Sequence, residues 1–242
     1  MDCSLSYHHD APYYGGCVSD VGRFFVYNGR IGGLDTDHVI TTRGDNSGDQ
    51  LASSMLTYAD FNGDGSEDLL IGTPYLDDGG SDAGALILYP GSSIGVSGSA
   101  VSTIHGSSDG EQLGLYTYRF GAGDLNGDGY DDLVVGIPTD DTTGSDAGKI
   151  IVYMGTSAYL PTYITATLYG EVAGDRFGEA VAVADINGDG FADVIVGAPN
   201  NDDGGTDAGK VYVFEGASAG MSTTASHGQY GDSVSENLGT RV

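Results

Sequence analysis

The chain has 242 residues, with 8 Lys plus Arg against 35 Asp plus Glu and a formal net charge of −27. That balance excludes nucleic acid and anionic membrane surfaces as partners, because both repel a polyanion. Hydrophobic residues still make up 39% of the chain, in regularly spaced runs, and no apolar run reaches the roughly 18 residues that span a bilayer. A folded protein without direct membrane insertion is therefore expected.

Near the N-terminus stand the two cysteines, Cys3 and Cys17. Two readings stay open: a disulfide formed in an oxidising compartment, or two partly buried thiols. A zinc site would need a second ligand pair, which their spacing does not supply. The adjacent pair His8-His9 points to opposite faces in any strand, so it does not form a transition-metal site. Ser4 to Tyr7 reads as a degraded strand, and Arg23 to Gly29 matches a strand-and-glycine segment that recurs later in the chain.

From residue 48 onward three repeats follow, with Asp60, Asp124 and Asp185 at equivalent positions. Each opens with a short apolar segment, Met55 to Ala59, Tyr116 to Ala122 and Ala180 to Ala184. After an acidic loop comes a compact second strand, Leu69 to Gly72, Leu133 to Gly136 and Val194 to Gly197, stopped by Pro74, Pro138 and Pro199. Acidic glycine-rich turns begin at Asp77, Asp140 and Asp202, and read as exposed strand connections. A third strand follows in each unit, Leu86 to Tyr89, Ile150 to Tyr153 and Val211 to Phe214, and a weaker fourth at Ser102 to His105 and Tyr163 to Leu168. Four strands per unit without helical periodicity predict an all-β protein, a β-propeller of four-stranded blades. At the C-terminus Leu238-Gly239 matches Leu113-Gly114 and Phe177-Gly178. The reading is therefore about four blades in a single domain: residues 48–109, 110–172 and 173–229, and a split blade of 1–47 with 230–242.

The acidic loops carry the chemistry. Asp185, Asn187, Asp189 and Asp193 occupy positions 1, 3, 5 and 9 of a nine-residue loop, with Gly190 at position 6 where the chain must turn sharply. The other copies hold Asp60, Asn62, Asp64 and Asp68, and Asp124, Asn126, Asp128 and Asp132. Closely spaced oxygen side chains suit a hard cation such as Ca2+, which takes roughly 6–8 oxygen ligands. A bare hairpin turn needs only two or three such residues, not four at fixed offsets in three copies. An EF-hand would need a glutamate at position 12, where Ile71, Val135 and Val196 stand in strands. Arg43-Gly44-Asp45 falls where other units have His105-Gly106-Ser107, so the repeat pattern accounts for its glycine and no adhesion role is read from it.

With Phe177-Gly178 and Gly197-Ala198-Pro199, and the variants Leu113-Gly114, Gly136-Ile137-Pro138 and Gly72-Thr73-Pro74, the chain resembles the FG-GAP repeat family. That family includes the calcium-binding propeller of integrin alpha subunits. The resemblance implies three Ca2+ sites in the loops between the first two strands of each blade, with backbone carbonyls from Ser66, Tyr130 and Phe191 at position 7. It also implies a non-catalytic, extracellular or cell-surface module whose ligand is a protein or a carbohydrate. The alternatives are an accessory or catalytic domain of a secreted hydrolase, and a subunit that self-associates through incomplete terminal blades.

Overall fold

The computed structural model describes residues 22–26, 29–30, 33–34, 40–43, 48–52, 56–160 and 164–242. Cys3, Cys17, His8, His9, the segment Ser4 to Tyr7, Gly44 and Asp45 lie outside the described residues. The first strands are β1 (Arg23–Val26), the two-residue β2 (Gly29–Arg30) and β3 (Gly33–Leu34), and β4 (Ile40–Arg43). β1 pairs antiparallel with β4, and β2 with β3.

Three four-stranded antiparallel meanders follow, each with its strands in chain order. The first holds β5 (Leu56–Ala59), β6 (Asp68–Thr73), β7 (Ala85–Tyr89) and β8 (Ser102–His105). The second holds β9 (Phe120–Gly123), β10 (Asp132–Ile137), β11 (Lys149–Tyr153) and β12 (Ala166–Tyr169). The third holds β13 (Ala180–Ala184), β14 (Asp193–Ala198), β15 (Lys210–Phe214) and β16 (His227–Tyr230). These sheets are the propeller blades that the repeats imply.

β6 and β10 are buried at every residue. A strand covered on both faces needs apolar side chains pointing both ways, which explains the uninterrupted runs Leu69-Leu70-Ile71 and Leu133-Val134-Val135. One expected strand differs. Tyr116 is extended but Thr117–Arg119 forms a 3-10 turn, and the strand starts only at Phe120. This unit has nine residues between Gly114 and Asp124, against six between Gly178 and Asp185. The surplus loops out, and Arg119 is anchored by Glu179 of the next sheet at 3.1 Å.

The sheets are joined by contacts that account for the repeat's glycines. A Cβ on Gly136 would lie 2.0 Å from the carbonyl oxygen of Gly178, and one on Gly197 would lie 1.9 Å from that of Gly239. Backbone packs directly on backbone there, so only glycine fits. Beside each such contact runs a parallel bridge, Gly84 to Leu113, Gly148 to Phe177 and Gly209 to Leu238. The tail around Leu238 thus sits on the third sheet as Leu113 sits on the first. Ile186 on that third sheet is 53% exposed, while its counterparts Phe61 and Leu125 are 0% exposed beneath a following sheet.

Candidate metal centre

Each acidic loop links the first and second strands of a sheet and is shaped by its own side chains. In the second loop Asp124 Oδ1 accepts the N–H of Gly127 at 2.6 Å, and Oδ2 that of Gly129 at 2.8 Å. Asn126 Oδ1 accepts from Asp128 N–H at 2.8 Å, and Asp128 Oδ1 from Tyr130 N–H at 3.0 Å. The third loop repeats these bonds from Gly188 and Gly190 to Asp185, Asp189 to Asn187, and Phe191 to Asp189. In the first loop Asp60, Asn62 and Asp64 accept from Gly65, Asp64 and Ser66 in the same way. Positions 1, 3 and 5 are thereby held on one tight turn.

Position 9 behaves differently. Asp68, Asp132 and Asp193 are 0% exposed. One oxygen of each accepts a loop N–H, from Phe61 (3.2 Å), Leu125 (2.9 Å) and Ile186 (3.1 Å). The other accepts from the glycine that follows the third strand, Gly91 (2.8 Å), Gly155 (2.8 Å) and Gly216 (3.0 Å). The position-9 carboxylate therefore pins the loop to the far hairpin of its own sheet. Burial pushes Asp68 up to about 6 and Asp132 up to about 7, outweighing the N–H bonds that favour the charged form, and the position-5 and position-1 carboxylates add repulsion. Exposed Asp185 is lowered, chiefly by the N–H of Gly190.

The loops are also linked in series. Asp131 N–H donates to the Asp60 carbonyl at 3.0 Å, and Ala192 N–H to the Asp124 carbonyl at 2.8 Å. Asp131 Oδ2 in return accepts the N–H of Asp60 at 2.9 Å. The rings of Tyr130 and Phe191 lie against Gly63 and Gly127 of the preceding loop, where an added Cβ would come within 2.9 and 2.7 Å. Position 7, expected for its carbonyl, thus also contributes a packing side chain.

The donor set is entirely oxygen, and three aspartates with one asparagine per loop suit a hard cation. Among the described residues no group of three or more acidic, histidine or cysteine side chains is arranged to hold a metal ion. The loop oxygens face backbone N–H groups instead. The acidic turns are ordered by their own bonds, with Asp77, Asp141 and Asp202 each accepting an N–H five residues on at 2.8 Å.

Sequence reasoning missed a buried acid two residues before each Leu51, Leu113 and Phe177. Asp49, Glu111 and Asp175 are 6%, 8% and 3% exposed. Glu111 Oε2 accepts from Ser107 N–H, and Asp175 Oδ2 from Asn201 Nδ2. The signal was present as an acid-polar-apolar triplet at the repeat spacing.

Repeated four-stranded antiparallel sheets joined by glycine contacts define a protein of β-propeller blades. The family comparison agrees: FG-GAP repeats match residues 52–89, 116–153 and 177–214, so the chain carries three FG-GAP repeats. It is 32% identical to integrin alpha-5 of Xenopus laevis over 168 residues, covering 65% of this chain and 16% of that protein. Integrin alpha-6 of Gallus gallus is 36% identical over 134 residues, covering 54% and 12%, and integrin alpha pat-2 of Caenorhabditis briggsae 34% over 165, covering 61% and 13%. The chain thus spans less than a fifth of the length of these relatives.

Proposed function

We propose that this chain is a non-catalytic, calcium-binding propeller module that serves recognition or scaffolding outside the cell. The observation that carries the reading is the threefold recurrence of one oxygen-rich loop at one place in three sheets. The first site would be held by Asp60, Asn62, Asp64 and Asp68 with the Ser66 carbonyl, and the second by Asp124, Asn126, Asp128 and Asp132 with that of Tyr130. The third would use Asp185, Asn187, Asp189 and Asp193 with the Phe191 carbonyl. Bound cation would offset the repulsion among these carboxylates. Occupancy at a hundredfold excess over the dissociation constant adds about 2.7 kcal/mol per site.

Similarity to integrin alpha subunits supports a cell-surface or secreted setting and a protein or carbohydrate ligand. We also read residues 1–47 together with 230–242 as one blade split between the two ends of the sequence. The pairing of β1 with β4 supports this, as it repeats the third-to-fourth strand pairing of the complete sheets. Calorimetric titration of chelator-stripped protein tests the cation reading, with magnesium as control. Close to three calcium-selective sites are expected, and absence of binding refutes them.

A further inference from the structure

Each acidic loop carries the same run at positions 3 to 6, Asn-Gly-Asp-Gly, at residues 62–65, 126–129 and 187–190. An asparagine followed by glycine is chemically labile, because glycine has no Cβ to shield its peptide nitrogen. That nitrogen can close on the asparagine side chain. Since the local sequence is identical in the three copies, any difference in their reactivity comes from the fold.

The fold restrains the three copies unequally. All share the bond from the position-5 N–H to the asparagine Oδ1, at 2.8 Å. Ring closure needs the side chain to turn toward the next peptide nitrogen, so it needs the loop to open locally. Asn126 is held by further bonds: its Nδ2 donates to Asp128 Oδ2 at 2.9 Å, and the Gly127 N–H donates to Asp124 Oδ1 at 2.6 Å. The Phe191 ring covers Gly127 as well. Asn62 keeps its Nδ2 bond to Asp64 Oδ2 at 3.2 Å and the Tyr130 ring over Gly63, but no described residue accepts the Gly63 N–H. Asn187 keeps only the 2.7 Å bond from the Gly188 N–H to Asp185 Oδ1. Its Nδ2 finds no acceptor among the described residues, and a Cβ on Gly188 would meet no atom within 4 Å. The Asp60 and Asp124 carbonyls are tied to Asp131 and Ala192, whereas no described residue donates to that of Asp185. Asn62 and Asn126 are half-buried, and Asn187 is exposed.

We propose that Asn187 is a site of spontaneous deamidation and converts ahead of Asn62 and Asn126. The Gly188 peptide nitrogen, once solvent base has taken its proton, attacks Asn187 Cγ. The new C–N bond closes a succinimide ring as the Cγ–Nδ2 bond breaks, and Nδ2 leaves as ammonia with a proton from water. Water then opens the ring. Cleavage at Cγ leaves aspartate, and cleavage at the original main-chain carbonyl leaves isoaspartate, with Cβ and Cγ now in the backbone. The net exchange is water in and ammonia out, with no change of oxidation state. Isoaspartate lengthens the backbone by a methylene and removes the side-chain acceptor that holds the Asp189 N–H. Position 3 is then lost from that loop alone. The inference stands on the metal-free loops and does not depend on the cation reading.

The test is incubation of the intact chain in chelator at physiological temperature and mildly alkaline pH. Acidic digestion and peptide mass spectrometry then follow each site, with electron-transfer fragmentation to separate isoaspartate from aspartate. Asn187 should convert about tenfold faster than Asn126, given the restraints it lacks, with Asn62 between them. In urea the three should converge on one rate, because their local sequences match. Tyr130→Ala, which bares Gly63, should speed Asn62 and leave Asn187 unchanged. Equal rates in the folded protein, or Asn126 leading, overturn the proposal, as does an order that persists in urea. So does an Asn187 that stays intact while the unfolded chain converts.

Discussion

Truncating Asp132 to alanine should damage the fold whether or not calcium is present. Its oxygens accept the N–H groups of Leu125 at 2.9 Å and Gly155 at 2.8 Å, in surroundings that leave Asp132 0% exposed. Each buried N–H left without an acceptor costs about 1–3 kcal/mol, so the pair costs about 2–6 kcal/mol. For a chain of this size that corresponds to a fall of roughly 5–20 °C in Tm. Burial holds the Asp132 carboxyl up at about 7, so removing its charge gives back part of the loss at pH 8 and less at pH 6. The assay is urea and thermal unfolding by circular dichroism at pH 6, in chelator, with Asp128→Ala in parallel. Asp128 is exposed, and the Tyr130 N–H it accepts can turn to water, so its removal should cost under about 1 kcal/mol in chelator. Equal losses for the two variants would refute the structural distinction between positions 5 and 9.

Asp189→Ala should lower Tm in calcium and barely change it in chelator; equal losses in both buffers would show that Asp189 does not act as a ligand. The pH dependence of the metal-free protein follows from Asp68 and Asp132, raised to about 6 and about 7. A raised carboxyl binds its proton more tightly in the folded state, so stability is greatest below the unfolded value near 3.8 and falls as pH rises through 6 to 7. Melts in chelator should therefore be higher at pH 5 than at pH 8, and the opposite order would contradict the assignment. Gly136→Ala drives a Cβ to 2.0 Å from the Gly178 carbonyl oxygen and should cost about 3 kcal/mol or more in urea titrations. Gly188→Ala meets no atom within 4 Å and bears only the strain of φ +77, about 1–2 kcal/mol. Glu179→Ala strips the partner from Arg119 and Arg176, at 3.1 and 2.9 Å, and should cost about 3 kcal/mol by the same assay.

The sequence by itself determined the repeat, the strand order within each sheet and the positions of the acidic loops. These follow from chain-local physics: alternation and turn chemistry mark strands, and four oxygen side chains at fixed offsets mark a loop that wraps a small volume. It also marked Gly136 and Gly178 as repeated, but not why, because their contact joins residues of different sheets. The tertiary structure decided four further matters. It showed that Asp132 reaches across its own sheet to Gly155, that Asp131 bonds back to Asp60 of the preceding loop, and that Tyr116 to Arg119 loops out toward Glu179. It also laid the Tyr130 and Phe191 rings over Gly63 and Gly127 while leaving Gly188 open. Each of these depends on how sheets sit against one another, a distance that spacing along a single chain does not encode.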